Sequence, residues 1–300
     1  MGDSRTGDLF ASDPSNLPAN PPLLPYRRGA PPAWDSTRSI LVGTSGWSFP
    51  DWIGRFYPMG LPRADMLGYY SDHFPTVEVN STYYRIPPPA VTEQMARKTP
   101  PGFRFTVKGP QVLTHEQTLD PEAMAAFRDC LAPLSDAGKL DGVLLQFPWS
   151  FRPGAASWDL LRGARREIPD LPLAIEFRHE GWARPETFTK LRDAGLGYCV
   201  VDEPKLPGLM PPVVELTSPI GYVRFHGRNQ ATWWAREPGR DRYDYLYSDA
   251  ELREWTEKIH DLARRAEKVY VFFNNCHAGQ AARNAALMQE LLLRDAGGAM

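Results

Sequence analysis

The sequence predicts a single α/β domain of the TIM-like (β/α)8 barrel class, and three observations support that prediction. Eight short apolar segments, rich in β-branched and aromatic residues, recur along the chain as predicted strands. Helical patterns separate most of them, and strands that alternate with helices form a parallel sheet. The chain has 300 residues, and a barrel of this class typically needs about 250.

The predicted strands are short enough, and rich enough in Val, Ile, Tyr and Phe, to be buried strands of one sheet. In chain order they are Ser39–Gly43, Thr76–Asn80, Phe103–Lys108, Gly142–Phe147, Leu173–Phe177, Tyr198–Val201, Tyr222–His226 and Val269–Phe273. Eight strand–helix units predict closure of the sheet into a barrel.

Helix signals lie in several of the connections. Asp120 is a favourable N-cap, Pro121 fits the first helical turn, and Gly138 closes the apolar stripe that follows. Ser248 and Glu251 have the spacing of a capping box, which predicts a helix running to about residue 268. A last helix is indicated by apolar positions at helical spacing, which are Ala281, Ala285, Met288 and Leu292.

Two connections and the N-terminus differ from this pattern. Four prolines between positions 204 and 212 leave little room for a helix, so an irregular crossover is predicted between strands 6 and 7. Segment 228–247 is predicted to be a long loop. Residues 1–37 hold seven prolines among Ser, Asn, Asp and Gly, a composition that predicts a disordered tail. The barrel domain is therefore predicted to span residues 38–300.

Overall composition narrows the classes of partner. The net charge of −2 and the pI near 6.3 disfavour charge-driven binding to nucleic acid or to an anionic membrane. The three cysteines are far apart and form no CxxC motif, so no disulfide framework, zinc site or other cofactor is expected. Without a membrane-spanning apolar run or a signal peptide, the expected location is the cytoplasm.

Polar residues occupy strands that should be continuously apolar, because parallel barrel strands are covered on both faces. Side chains alternate between faces, so Glu78 shares a face with Asn80, opposite Val77 and Val79. The set predicted to face the barrel interior or its carboxyl-end mouth is Glu78, Asn80, Arg104, Lys108, Gln146, Glu176, Arg178, Asp202, Arg224, His226 and Asn274. Active sites of this fold lie at that mouth.

The charges of this inward set predict a small anionic ligand. Three carboxylates, Glu78, Glu176 and Asp202, face four cations, which are Arg104, Lys108, Arg178 and Arg224. A phosphate or carboxylate on a ligand would balance the one excess positive charge, and arginine binds such groups in bidentate fashion. The alternative is an ion-pair network that only shapes the core.

Three residues are the candidates for chemistry. Glu176 is the first candidate for a general acid or base, because burial can raise the pKa of a carboxylate toward neutral pH. His226 is the second, because histidine changes charge near physiological pH. Lys108 is an anion anchor or, with a lowered pKa, a Schiff-base amine.

Further residues are candidates for ligand binding. Polar side chains that would orient a ligand are Asn80, Tyr83, Gln146, Asn274 and Asn275. Tryptophans in loops after the strands, Trp47 among them, would stack on a ring of the ligand. The alternative for each is a structural role, in satisfying loop backbone groups or in anchoring a loop.

The same segments resemble the YecE-like family, or domain of unknown function 72. The resemblance rests on VGTSGWSFPDWIGRFYP at 42–58, TVEVNSTYYRIP at 76–87, IEFRHEGW at 175–182, YVRFHG at 222–227 and VYVFFNN at 269–275. It extends over about residues 39–295. It implies a TIM-like barrel and assigns no reaction.

Three functional hypotheses follow. The favoured one is an enzyme, a hydrolase, lyase or isomerase, that binds a small anionic ligand and uses metal-independent acid–base chemistry. The second is a metal-dependent phosphodiesterase or nuclease, whose candidate ligands would be Glu78, Glu176, His179, Asp202, Glu203, His226 and His277. The third is a barrel that senses its ligand without turnover, because the fold alone does not decide function.

Overall fold

A computed structural model describes residues 39–234 and 241–297, in which eight parallel strands close into a barrel. The strands are β1 (Ile40–Ser45), β2 (Thr76–Val79), β3 (Arg104–Lys108), β4 (Leu140–Gln146), β5 (Leu173–Glu176), β6 (Gly197–Asp202), β7 (Ile220–Phe225) and β8 (Lys268–Phe273). Strand β1 pairs in parallel with both β2 and β8, which closes the sheet. The predicted fold class is confirmed.

Helices follow most of the strands, as the alternating pattern predicts. They are α1 (Met66–Ser71), α2 (Ser81–Tyr84), α3 (Pro89–Arg97), α4 (Gln111–Thr114), α5 (Pro121–Asp136), α6 (Ala155–Glu167), α7 (Pro185–Asp193), α8 (Asp249–Arg265) and α9 (Gln280–Gly297). Short 3-10 helices span Pro50–Trp52, Arg63–Asp65, Glu180–Trp182, Asp241–Tyr243 and His277–Gly279. None of the helices in the described ranges is long and apolar enough to cross a membrane.

Local sequence signals set several of these boundaries. The Asp120 side chain accepts a 2.7 Å hydrogen bond from the backbone N–H of Ala123 at the start of α5. The stretch after α5 turns at Gly138, whose φ of +64° lies in the left-handed region that favours glycine. Ser248 and Glu251 form the predicted capping box of α8. That helix ends at Arg265, three residues before the predicted limit, because β8 begins at residue 268.

The connection from β6 to β7 contains no helix between residues 203 and 219, as its prolines predict. The segment after β7 holds the 3-10 helix Asp241–Tyr243, and residues 235–240 lie outside the described ranges. The predicted tail, residues 1–37, also lies outside them.

The core lies between the outer face of the strands and the helices. Val77, Val79, Phe105 and Val107 are fully buried there, on the face opposite the polar residues of β2 and β3. The barrel interior is polar instead: Thr106 Oγ1 lies 2.9 Å from the hydroxyl of Tyr222 across the barrel. Strand alternation thus separates an apolar shell from a polar interior.

Candidate functional site

The deepest part of the site is an ion-pair network centred on Arg224. One terminal nitrogen of its guanidinium group lies 2.7 Å from Glu78 Oε1, and the other lies 2.5 Å from Glu176 Oε2. The second oxygen of Glu78 accepts a 2.7 Å hydrogen bond from the hydroxyl of Tyr222. All four residues are buried, so the charges compensate one another away from water.

Arg178 links this network to the mouth of the barrel. Its Nε lies 2.7 Å from Glu176 Oε1, and its terminal nitrogen lies 3.0 Å from Glu203 Oε2. The other oxygen of Glu203 accepts a 3.1 Å hydrogen bond from the backbone N–H of Met210 in the crossover. Arg178 therefore bridges two carboxylates and joins β5 to the residues that follow β6.

The Glu176 carboxylate is held ionised. Burial alone would raise its pKa, but the neighbouring Arg178 and Arg224 outweigh burial and hold the pKa well below the usual range. The catalytic role of Glu176 stays a prediction, but the direction of its pKa shift is opposite to the one expected of a general acid or base. Its physical reason is that two guanidinium groups, rather than apolar side chains, surround the carboxylate.

His226 is a neutral residue at physiological pH. Burial, and next the charge of Arg178, lower its pKa to about 3, so the expected change of charge near neutral pH is wrong. Its Nε2 lies 3.2 Å from Glu176 Oε1, without the alignment of a hydrogen bond. Its Nδ1 lies 3.1 Å from the side-chain amide nitrogen of Asn274, so Asn274 orients the ring.

Lys108 stands apart from this network. Its ammonium group donates a 2.9 Å hydrogen bond to Gln146 Oε1 and lies 4.3 Å from the centre of the Tyr83 ring. Within residues 39–234 and 241–297 it has no carboxylate at ion-pair distance. Burial, and next the charge of Arg224, lower its pKa to about 8. Lys108 is therefore a half-buried cation held by uncharged partners.

Further uncharged side chains lie beside Tyr83, the aromatic partner of Lys108, and at neighbouring strand ends. The His115 ring lies 5.0 Å from the Tyr83 ring, and burial together with the charge of Lys108 lowers the pKa of His115 to about 4. At the end of β2, the buried Oδ1 of Asn80 has no hydrogen-bond partner in the described part of the chain. Tyr243 lies near by, with its ring 6.1 Å from that of His226. This neighbourhood offers neutral hydrogen-bonding groups.

Asp202 does not belong to the inward-facing set, which corrects the sequence prediction. Cys199 of the same strand points inward, with its Sγ 3.9 Å from Glu176 Oε2, so alternation turns Asp202 outward. There its carboxylate accepts hydrogen bonds from Arg228 at 2.7 Å, Tyr247 at 2.7 Å and Trp255 of α8 at 2.9 Å. Asp202 anchors α8 and the loop after β7.

Glu203, rather than Asp202, is the inward-facing carboxylate at the end of β6. Sequence reasoning considered Glu203 only as a metal ligand. It lies one residue beyond β6, and alternation through Val201 identifies it once the contact between Cys199 and Glu176 shows which face of β6 points inward. Burial, outweighing the attraction of Arg178, raises the pKa of Glu203 to about 7. It is thus a carboxyl group that titrates near neutral pH.

The predicted position of Arg104 near the mouth of the barrel is also wrong. It is the first residue of β3 and therefore lies at the amino end of the barrel, opposite the mouth. It lies 3.5 Å from Asp141, which also lies 3.2 Å from Lys268 and accepts a hydrogen bond from Tyr270. Alternation correctly gives the face of a strand residue but does not give its height along the barrel axis.

Two further candidates have structural contacts. Asn275 is fully buried and donates hydrogen bonds to the Tyr245 carbonyl at 2.7 Å and to Asn284 of α9 at 2.9 Å. These bonds tie α9 to the loop after β7 and do not involve the inward-facing charges. Trp47 is half-buried and packs against the apolar core.

The net charge of the site differs from the one predicted from the sequence. Arg104 and Asp202 lie outside the site, whereas Glu203, which was not counted, lies within it. Three cations now face three carboxylates, which are Lys108, Arg178 and Arg224 against Glu78, Glu176 and Glu203. The net charge is zero when Glu203 is ionised and +1 when it is protonated. The excess positive charge is therefore conditional on pH.

The carboxylates of the site are arranged around guanidinium groups. No group of three or more His, Cys, Asp or Glu is positioned to hold a metal ion in residues 39–234 and 241–297. His179 Nδ1 accepts a 3.0 Å hydrogen bond from the backbone N–H of Gly181. A surface pocket of about 320 Å³ beside α1, bordered by Asp72 and Lys98, holds none of the predicted site residues.

Comparisons with known proteins agree on one family. A family model described as protein of unknown function DUF72 matches residues 41–299. UPF0759 protein YunF of Bacillus subtilis is 35% identical over 269 residues, covering 84% of this chain and 94% of that protein. UPF0759 protein YecE of Escherichia coli K12 is 30% identical over 155 residues, about half of each chain.

Solved structures show the same relationship. A DUF72 family protein from Thermotoga maritima has a TM-score of 0.79 and 44% identity, covering 85% of this chain and 100% of that chain. A DUF72 family protein from Enterococcus faecalis has a TM-score of 0.76 and 30% identity, covering 85% of this chain and 95% of that chain. These two proteins are therefore similar to this chain in both sequence and fold.

Proposed function

Since this chain belongs to the DUF72 family, a family of unknown function, we propose a function from the geometry of its own barrel. The protein binds a small molecule carrying a phosphate or carboxylate group at the carboxyl-end mouth, with Lys108 as the main contact of the anion. It then performs metal-independent acid–base chemistry on that molecule, with Lys108 and Glu203 as the proton-transfer groups.

The observation that carries this proposal is the environment of Lys108. Arg178 and Arg224 each contact two carboxylates, so their charges are already compensated. Among the residues that the structure describes, the partners of the Lys108 ammonium group are an amide oxygen and an aromatic face. A partly desolvated charge without an opposite partner is unfavourable, and an anionic ligand would supply the missing partner.

The acid–base part of the proposal is supported by two pKa values on either side of neutrality. The pKa of Glu203 is raised to about 7 and that of Lys108 is lowered to about 8. Groups that titrate close to the working pH are the efficient proton donors and acceptors. Glu176 and His226, the residues first expected to act, would instead hold Arg178 in position.

Replacement of Lys108 by methionine is the direct test. Methionine keeps the length and apolar character of the side chain but removes the charge, so affinity for phosphate, methyl phosphate or acetate should fall about tenfold to a hundredfold. Binding to the native state raises the melting temperature, which thermal unfolding across a series of anion concentrations would measure. Anion binding should also weaken above pH 8, as Lys108 loses its proton.

The matched control is Lys190→Met, on the exposed face of α7. This variant should bind anions like the wild type, because α7 lies outside the barrel. Equal anion affinity in the wild type and Lys108→Met would overturn the proposal. Binding that depends on Lys108 without any turnover would instead favour a ligand sensor.

A further inference from the structure

Two tryptophans at the mouth of the barrel expose large aromatic surfaces to solvent. Trp149 is 41% exposed and Trp234 is 51% exposed. Their rings lie 5.8 Å apart at an interplanar angle of 78°, so they form one corner of two perpendicular faces, here called the rim pair. Trp52, Trp182 and Trp255 are buried by comparison. Contiguous exposed aromatic surface of this kind is typical of binding sites.

The first member of the rim pair is held in a fixed orientation. Trp149 Nε1 donates a 2.9 Å hydrogen bond to the carbonyl of Gly208 in the crossover. The Arg152 guanidinium lies 3.9 Å from the centre of its ring, and the His179 ring lies 5.3 Å away at 76°. A ring fixed before binding loses little conformational entropy when a ligand stacks on it.

The rim pair lies above the strand ends that carry the proposed anion site. Trp149 follows Gln146, the hydrogen-bond partner of Lys108, by three residues. Its neighbour His179 directly follows Arg178, which contacts Glu203. Lys108 ends β3, Trp149 follows the neighbouring β4, and Trp234 follows β7, so the exposed rings and the cation share the carboxyl end of the barrel.

We infer that the rim pair binds a planar ring of the ligand, so that the ligand is a ring compound bearing an acidic group. The ring stacks on Trp234, or on the part of Trp149 that Arg152 does not cover, while its phosphate or carboxylate contacts Lys108. Stacking on an aromatic side chain contributes about 1–3 kcal/mol. This inference rests on the proposed anion site for the second of the two contacts.

Two probes separate the ring contact from the anion contact: methyl phosphate, which has only the acid, and phenyl phosphate, which has both. The wild type should bind phenyl phosphate at least about fivefold more tightly than methyl phosphate, as ~1 kcal/mol of stacking requires. Trp149→Ala or Trp234→Ala should remove much of this margin, which is the ratio of the affinity for phenyl phosphate to that for methyl phosphate. Trp149→Phe should retain part of it. Titration calorimetry measures each affinity. Leu293→Ala, an exposed residue of α9, is the control.

The outcomes distinguish this inference from the proposed function. Equal affinity for both phosphates in the wild type, or an unchanged margin in both alanine variants, would overturn the rim pair as a ring site. If the alanine variants lost the margin while Lys108→Met bound both phosphates normally, the ring site would stand and the anion contact at Lys108 would fall. If the wild type bound neither phosphate, both would fall.

Discussion

Replacement of Arg224 by methionine is expected to lower the free energy of unfolding by about 3–5 kcal/mol, the usual cost of removing one partner of a buried ion pair. Arg224 is fully buried and contacts Glu78 at 2.7 Å and Glu176 at 2.5 Å. Without it, Glu78 keeps the hydrogen bond from the hydroxyl of Tyr222, and Glu176 keeps its ion pair with Arg178. The loss thus comes mainly from uncompensated buried charge.

Chemical denaturation of the wild type and variants at one pH measures this effect. The matched control is Arg192→Met, which breaks an exposed pair with Glu215 at 2.6 Å and should cost less than about 1 kcal/mol. The double variant Arg224→Met, Glu78→Gln should recover part of the stability, because it removes the carboxylate that loses its ion-pair partner. A loss in Arg224→Met no larger than in the control would contradict a charge-compensated network.

Titration of Glu203 is expected to make the folded state less stable as the pH rises through neutrality. The pKa of this carboxyl is raised from 4.5 to about 7 in the folded protein, with burial as the main cause. Between these values the folded state holds a proton that the unfolded state has lost, so the free energy of unfolding falls with pH. At about 1.4 kcal/mol per pH unit, the total loss approaches about 3 kcal/mol.

The variant Glu203→Gln isolates this contribution from all other titrating groups. The stability of the wild type minus that of the variant, measured by denaturation from pH 4 to pH 8, should be highest near pH 4 and should fall until slightly above pH 7. Glutamine can still accept a hydrogen bond from the backbone N–H of Met210 through its amide oxygen. A difference that rises with pH would mean that Arg178 outweighs burial and that Glu203 is a permanent anion.

Protonation of Glu203 is also expected to change the affinity of the site for anions. With Glu203 protonated, Lys108, Arg178 and Arg224 face two ionised carboxylates, and with Glu203 ionised they face three. Anion affinity should thus be higher below pH 7 than above it in the wild type. In Glu203→Gln the change in anion affinity around pH 7 should vanish. The loss of affinity above pH 8, which is caused by deprotonation of Lys108, should remain.

Local patterns were sufficient to predict the architecture. Strand composition identified all eight strands to within two residues at each end, and cap residues such as Asp120 and Ser248 identified where α5 and α8 begin. Alternation along each strand gave the inward set of Glu78, Lys108 and Glu176, because the face of a side chain depends only on its position within its own strand.

What the sequence determined by itself was therefore the barrel, the polar face of its strands and the family. The tertiary structure alone decided which polar residues meet. Arg104 lies at the opposite end of the barrel and Asp202 points outward, while Glu203 joins the site, because axial height and strand limits depend on pairing between strands distant in sequence. It also decided the pKa of Glu176, because that value depends on how closely Arg178 and Arg224 approach the carboxylate in space.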